Sequence, residues 1–179
     1  FTAASLINDA PVVFDDVSLE GAWRPKNYSG KFFGPTRLRY ALTKSRNLVS
    51  IRLLRSIGVE PALEHVAKFG FEPESLPKNL SLALGSANLS PLQMAKGYAV
   101  LANGGFQVEP FFIRSIERNG EPVFEAQPRV AGIEPVEGEP LPEIAAPRAI
   151  SAQNRYLMYS MMRDVIQAGT ATKAKVLGR

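Results

Sequence analysis

The sequence of 179 residues contains no cysteine and only one histidine, His65. Without cysteine the chain can form neither a disulfide nor a thiolate nucleophile. One histidine without cysteines also lacks the ligand set that zinc sites use. His65 lies in an amphipathic stretch, residues 61–68, so we interpret it as an ordinary helix residue rather than the base of a Ser-His-Asp triad. We therefore expect no metal and no cofactor.

Long apolar runs and concentrated charge are also missing. Apolar residues make up 45% of the chain and charged residues 21%, which is ordinary for a globular protein. No run approaches the roughly 20 apolar residues that span a bilayer. The net charge of +4 comes from scattered Lys and Arg, whereas nucleic-acid binding needs a clustered basic surface. The length suffices for one domain with a hydrophobic core, and we expect no nucleic-acid partner.

The first half of the chain predicts a loop-rich start followed by helices. Glycine, proline, asparagine and aspartate punctuate residues 1–35, where only residues 12–14 indicate a strand. The segments expected after this stretch are a helix capped by Thr36, a polar break at residues 44–47, a helix from Leu48 to Ile57 ended by Gly58, a helix beginning at Pro61 and ending before Gly70, and a loop at residues 71–89.

The second half predicts two stronger helices separated by a hairpin. Small residues on one face of the first helix suggest close packing against another helix. The expected segments are a helix opened by Ser90-Pro91 and closed by residues 103–105, a hairpin turning at Asn119-Gly120, an extended surface loop at residues 126–147, and a helix capped by Ser151 and stopped by Gly169.

Polar groups near the first helices are the candidates for chemistry. The carboxylates of Asp9, Asp15, Asp16 and Glu20 are interpreted as loop caps or solvated charges rather than a metal cluster. The tripeptide at residues 45–47 has the form Ser-x-Asn, which is common by chance. Serine and asparagine favour helix ends, so on spacing alone a helix end followed by a new cap is the better explanation.

The sequence around this tripeptide favours a functional interpretation. Residues 23–28 read WRPKNY and residues 38–47 read LRYALTKSRN. These segments resemble the W-x-P-x-N-Y and L-R-x-A-L-x-x-S-x-N motifs of class A (bifunctional) penicillin-binding proteins. Residues 84–105 resemble the family's helix with its Ala-Asn-Gly-Gly ending. Residues 169–179 resemble the run that leads into its Lys-Thr-Gly strand. The segments occur in the family's order and cover most of the chain.

The resemblance implies a fold and an activity. The fold would be the α/β penicillin-binding transpeptidase fold, similar to serine β-lactamases. This mainly helical segment would supply the helical subdomain and a β-hairpin. Residues 1–179 would belong to one transpeptidase domain truncated at both ends. The intact protein would be a serine-type D,D-transpeptidase that cross-links peptidoglycan stem peptides ending in D-Ala-D-Ala and is a target of β-lactams.

The resemblance also implies roles for individual residues. Ser45 would relay a proton between a lysine base and the leaving nitrogen, and Asn47 would hydrogen-bond the substrate amide. Trp23 would shape the cleft wall, although packing on the domain explains it equally well. We expect the nucleophile of the Ser-x-x-Lys motif just before Phe1 and the Lys-Thr-Gly strand just after Arg179. The segment alone would then be inactive.

Two other hypotheses remain open. One is a non-catalytic module of the same fold that binds cell-wall peptide or a partner protein, and the other is an unrelated helical interaction domain. The residues preceding Phe1 would separate the first of these from an enzyme. For the enzyme, the resemblance implies a location on the periplasmic side of the cell inner membrane, with other cell-wall synthesis proteins as partners.

Overall fold

Short strands and helices make up the computed structural model, which describes residues 1–15 and 22–178. The strands are β1 (Leu6–Asp9), β2 (Phe14–Asp15), β3 (Ala22–Trp23), β4 (Gly34–Arg37), β5 (Ser115–Arg118) and β6 (Glu121–Glu125). The helices are α1 (Leu38–Thr43), α2 (Asn47–Ile57), α3 (Val59–Ala67), α4 (Pro91–Ala102) and α5 (Ala152–Ala168). Within the described part of the chain, every helix is too short or too polar to cross a bilayer.

The described chain divides into two units. The first comprises Phe1–His65, Glu72–Asn88 and Tyr156–Arg179, and the second comprises Val66–Phe71 and Leu89–Arg155. The first unit contains the strands β1 to β4, the helices α1 and α2, and most of α5. The second unit contains α4 and the β5–β6 hairpin.

Strands β1 and β4 form an antiparallel pair in the first unit, with Leu6 opposite Arg37 and Asp9 opposite Gly34. Neither strand was predicted. Thr36 lies inside β4, and its hydroxyl donates to the carbonyl oxygen of Gly34 at 2.9 Å. The prediction that Thr36 caps the first helix is therefore wrong, because pairing with β1 keeps its backbone extended. Helix α1 begins at Leu38, and the preceding residue makes no side-chain cap.

The strand predicted at residues 12–14 is displaced along the chain. Strand β2 begins at Phe14 and pairs with β3, so that Phe14 lies opposite Trp23. The two rings are 5.7 Å apart between centroids, a tilted arrangement that is favourable for aromatic pairs. Of the predicted strand, only Phe14 is in the observed one.

Helix α2 carries the core of the first unit. Its side chains Leu48, Val49, Ile51 and Leu54 are buried, and the helix contacts β1 and the 3-10 turn at Leu80–Leu84. Burying each such side chain contributes about 1.5–3 kcal/mol. The predicted end at Gly58 is confirmed, with φ at +94°. This packing fixes the first residue of α2, Asn47, in space.

Helix α3 begins earlier than the sequence suggests. It starts at Val59, so Pro61 occupies the third position rather than the first, and it ends before Gly70 as predicted. The predicted loop at residues 71–89 contains two short 3-10 turns, at Pro73–Ser75 and Leu80–Leu84.

The second unit matches its predicted elements closely. Ser90 caps α4, because its hydroxyl accepts a hydrogen bond from the Gln93 amide while the Gln93 side chain accepts one from the Ser90 amide. Strands β5 and β6 form the predicted hairpin. Both turn residues, Asn119 and Gly120, have positive φ angles, as the favoured two-residue hairpin turn requires.

Residues 126–147 are largely exposed and irregular, but they end in a buried segment. Ala145 and Ala146 are 4% and 1% exposed, and Ala146 donates its amide to the Val130 carbonyl oxygen at 2.9 Å. Helix α5 follows. Ser151 caps it as predicted, since the Asn154 amide donates to the Ser151 hydroxyl at 3.2 Å.

Candidate functional site

The connection between α1 and α2 is a tight turn that presents Ser45 to solvent. Ser45 has φ at +52°, a left-handed conformation that is uncommon for a residue other than glycine. Its amide donates to the Leu42 carbonyl oxygen at 3.1 Å, and the next amide, of Arg46, donates to the Ala41 carbonyl oxygen at 2.9 Å. These bonds end α1 and reverse the chain just before α2 begins. The polar break predicted at residues 44–47 is therefore a hydrogen-bonded turn with an exposed serine at its tip.

Ser45 and Asn47 line the same cleft, which has a volume of about 460 Å³. The sequence predicts these two residues as a candidate pair, and the structure brings them together. The cleft is lined by Asn27, Tyr28, Ser29, Lys44, Ser45, Arg46, Asn47 and Thr170. Most lining residues that were not named as candidates lie within or next to two of the family-like segments, residues 23–28 and 169–179. Those segments were the sequence signal that could have identified them.

Asn47 is held by the backbone of the loop that precedes β4. Its side-chain amide group donates to the carbonyl oxygen of Lys26 at 2.9 Å. An amide has two N–H donors and one acceptor oxygen, and within residues 1–15 and 22–178 no other bond of this side chain is found. One N–H and the carbonyl oxygen of Asn47 thus remain available to a ligand in the cleft.

The residue before Ser45 is attached to the end of α5. The ammonium group of Lys44 donates to the Ala168 carbonyl oxygen at 2.6 Å, and the Thr170 amide donates to the Thr43 carbonyl oxygen at 3.3 Å. A cation at a helix C-terminus satisfies a free carbonyl group and interacts favourably with the helix dipole. The cleft wall therefore includes the end of α5 as well as the α1–α2 turn.

Asp9 differs from its interpretation in the sequence, and it pairs with Arg46. Asp9 is fully buried at the end of β1, so the prediction of a loop cap or solvated charge is wrong for this residue. Its carboxylate accepts a hydrogen bond from the Asn27 side chain at 2.7 Å. The Arg46 guanidinium lies 3.4 Å above the centre of the Phe33 ring and, at 4.0 Å, forms an ion pair with Asp9.

The remaining acidic residues named in the sequence are Asp15, Asp16 and Glu20. Asp16 and Glu20 lie outside the described residues, as does the side chain of Asp15. In the described ranges, no group of three or more histidine, cysteine or acidic residues is placed to hold a metal ion.

Trp23 does not line the cleft. The residue packs against Phe14 in the β2–β3 pair and is only partly buried. This placement matches packing on the domain, the alternative left open in the sequence analysis. Its role as a cleft wall stays a prediction without support from a contact.

A sequence of the form Ser-x-x-Lys occurs in the chain at residues 75–78. Ser75 is the last residue of a 3-10 turn, and its hydroxyl donates to the Glu72 carbonyl oxygen at 2.8 Å. Pro77 stands between the serine and Lys78, and the backbone leaves the turn in an extended conformation at Leu76. The segment therefore lacks the helix start that places the two side chains of such a motif on one face. Neither residue lines the cleft.

A scan against protein-family models matches residues 4–179 to the family described as "Penicillin binding protein transpeptidase domain". Penicillin-binding protein 1A of Pseudomonas aeruginosa is 43% identical over an alignment that covers the whole chain and 26% of that protein. Penicillin-binding protein 1A of Neisseria gonorrhoeae is 43% identical over 99% of the chain and 21% of that protein. The chain thus spans about a quarter of the length of these relatives.

A solved structure gives the same result for the fold. The crystal structure of penicillin-binding protein 1A from Haemophilus influenzae matches 97% of the chain and 29% of that protein, with a TM-score of 0.85 and 32% identity.

Proposed function

Because this chain belongs to the family of penicillin-binding protein transpeptidase domains, we propose that it forms part of a serine D,D-transpeptidase that cross-links peptidoglycan stem peptides. Family membership and the fold predicted from the sequence are both confirmed. The activity of the intact protein, its substrate ending in D-Ala-D-Ala and its reaction with β-lactams belong to the proposal, since the chain is about a quarter of its relatives' length.

The observation that carries the proposal is the joint position of Ser45 and Asn47 in one cleft. The Ser45 residue is exposed at the tip of the turn, whereas Asn47 is held by Lys26 and by the packed start of α2. In one cleft, a hydroxyl can relay a proton while an amide side chain orients a peptide. Acyl transfer requires both tasks.

The reaction has two halves, and the proton balance assigns a task to Ser45 in the first. A nucleophilic serine outside residues 1–179 attacks the carbonyl carbon between the two D-alanines, and its proton passes to a lysine base. The C–N bond then breaks, and the departing D-Ala amine takes up a proton. Ser45 accepts that proton from the base on one side of its hydroxyl and donates its own proton to the amine on the other.

The second half regenerates the nucleophile. An amine from a neighbouring stem peptide attacks the acyl-enzyme carbonyl and loses a proton, which passes through Ser45 to the base. The ester C–O bond to the serine then breaks, and the base returns the proton to the serine oxygen. A β-lactam enters the first half in the same way, because its ring amide is cleaved by the same attack. Its nitrogen stays attached to the acyl group, so no leaving group departs.

Asn47 orients the substrate in both halves. Its remaining N–H and its carbonyl oxygen can pair with the C=O and N–H of a substrate amide, while its bond to Lys26 limits rotation of the side chain. Preorganisation of this kind lowers the entropy lost on reaching the transition state.

The proposal extends to location and partners. We place the intact protein at the cell inner membrane with this domain on the periplasmic side, where peptidoglycan is assembled. Other cell-wall synthesis proteins are its proposed partners.

The experiment measures acylation of the intact protein by a fluorescent penicillin. We expect a Ser45→Ala variant to react about 10²- to 10⁴-fold more slowly, which is the usual contribution of a positioned proton-transfer group. The matched control is Ser56→Ala, an exposed serine of α2 whose hydroxyl donates to the Arg52 carbonyl oxygen and which does not line the cleft.

The outcomes separate the hypotheses. Wild-type protein that is acylated, with a slow Ser45→Ala variant and an unchanged Ser56→Ala variant, supports the enzyme and the role of Ser45. An unchanged Ser45→Ala rate removes Ser45 from the mechanism. Wild-type protein that binds stem peptide but is never acylated supports the non-catalytic module instead.

A further inference from the structure

A fully buried carboxylate lies behind the Ser45 turn. Asp9, the last residue of β1, has no exposed surface. A buried charge is costly unless it is paired and hydrogen-bonded. No step of the proposed reaction uses this carboxylate, so its retention in the interior needs another reason.

The first partner of Asp9 connects it to the cleft. The Asn27 amide group donates to one Asp9 oxygen at 2.7 Å and to the Lys31 carbonyl oxygen at 2.9 Å. The side-chain oxygen of Asn27 (Oδ1) accepts a hydrogen bond from the Leu48 amide, in the first turn of α2, at 3.5 Å. Asn27 is itself buried and lines the cleft with Ser45 and Asn47. The Asn27 side chain therefore joins β1, the loop that precedes β4 and the start of α2.

The second partner is the middle residue of the tripeptide. The Arg46 side chain is 12% exposed, and its Nε lies 4.0 Å from the other Asp9 oxygen. Neither atom has a hydrogen-bond partner among the described residues, so the attraction between them is electrostatic. The Phe33 ring under the guanidinium fixes its plane. Arg46 is thus held inward by a charge and a ring, between the two cleft residues Ser45 and Asn47.

From this geometry we propose that Asp9 is a positioning residue for acyl transfer. Its charge holds Arg46 inward, and its hydrogen bond holds Asn27 against α2. Together these contacts maintain the left-handed backbone at Ser45 and the placement of Asn47. Conformations of that type persist only where the surroundings determine them. The inference rests on the proposed function, because its consequence is a slower acylation step.

The test compares four forms of the intact protein: wild type, Asp9→Asn, Arg46→Gln and the double variant. The acylation rate constant for a fluorescent penicillin is measured separately from the final labelled fraction. Loss of folded protein lowers the labelled fraction, whereas a displaced Ser45 lowers the rate constant. We expect each single variant to react roughly 10²-fold more slowly, the cost of a misplacement of about 1 Å.

The double variant distinguishes a charge pair from two independent effects. Each single change leaves one buried charge without its partner, and the double change leaves none. If the two single effects were independent, the double variant would be slowed by their product. We expect it to react at least about threefold faster than that product predicts, as for residues in one network. If Asp9→Asn does not fold, Arg46→Gln and the double variant carry the test, and the double variant must regain both folding and rate.

The matched control is Asp164→Asn, which removes a half-exposed carboxylate paired with Arg39 at 2.8 Å. Its rate constant should equal that of the wild type, since such surface pairs contribute little. Folded Asp9→Asn protein with the wild-type rate constant, or single effects that simply multiply in the double variant, would overturn the inference. Failure of the proposed function looks different, because wild-type protein would then not be acylated at all.

Discussion

Replacing Gly169 with alanine should push the end of α5 away from the backbone that precedes Ser45. A Cβ atom on Gly169 would clash with the Thr43 carbonyl oxygen and would lie 2.6 Å from the Val165 carbonyl oxygen. Both obstacles are backbone atoms, so no side-chain rotation can relieve the contact. Two hydrogen bonds join the same two segments, from the Thr170 amide to the Thr43 carbonyl oxygen and from the Lys44 ammonium group to the Ala168 carbonyl oxygen.

The magnitude follows from these contacts. Overpacking costs about 1–3 kcal/mol, and the two hydrogen bonds, one of them exposed, add about 1 kcal/mol between them. The total of about 2–4 kcal/mol corresponds to a fall of roughly 4–16 °C in the apparent melting midpoint of a domain of this size. Acylation by fluorescent penicillin should slow as well, because the turn that carries Ser45 moves with the contact.

Gly85→Ala is the control for this prediction. Gly85 has φ at +76° and nothing within 4 Å of its added Cβ, so alanine there meets only backbone strain of about 1–2 kcal/mol. It should lower the midpoint by roughly 2–8 °C and leave the acylation rate constant unchanged. A Gly169→Ala protein that melts and reacts like the wild type would refute the reasoning.

Three further predictions concern single side chains. Ser75→Ala should leave penicillin labelling of the intact protein unchanged, because Ser75 sits in a 3-10 turn away from the cleft; loss of labelling would make it the nucleophile. Ser90→Ala should cost about 1 kcal/mol of stability through loss of the α4 cap, and an unchanged melting midpoint would contradict that role. Ile51→Ala, at a position with no exposed surface, should lower the free energy of unfolding by about 2–5 kcal/mol. The control Leu92→Ala, at a half-exposed position, should change it by no more than about 0.5 kcal/mol. Equal effects of the two changes would contradict the assignment of the core.

Elements with local signals could be predicted from the sequence. The α4 helix is opened by Ser90-Pro91, and the hairpin turns at Asn119-Gly120, so each is specified by residues within a few positions of one another. Fold and family could also be predicted, because several segments of family sequence occur in order along the chain. Ser45 and Asn47 were found through those segments rather than through their own spacing.

Features that depend on distant residues could not be predicted. Strand β1 pairs with β4 across the 24 residues between Asp9 and Gly34, and this pairing made Thr36 a strand residue instead of a helix cap. The burial of Asp9 depends on Asn27 and Arg46, which approach it only in the folded chain. The positive φ of Ser45 likewise has no sequence signal, since serine rarely adopts it.

The most direct measurement is the identification of the acylated serine. The intact protein is labelled with a penicillin and digested, and the modified peptide is found by mass spectrometry. We predict that the label lies on a serine outside residues 1–179, with Ser45 and Ser75 unmodified. A labelled peptide containing Ser45 or Ser75 would contradict the assignment of Ser45 as a proton relay beside a nucleophile supplied by another part of the protein.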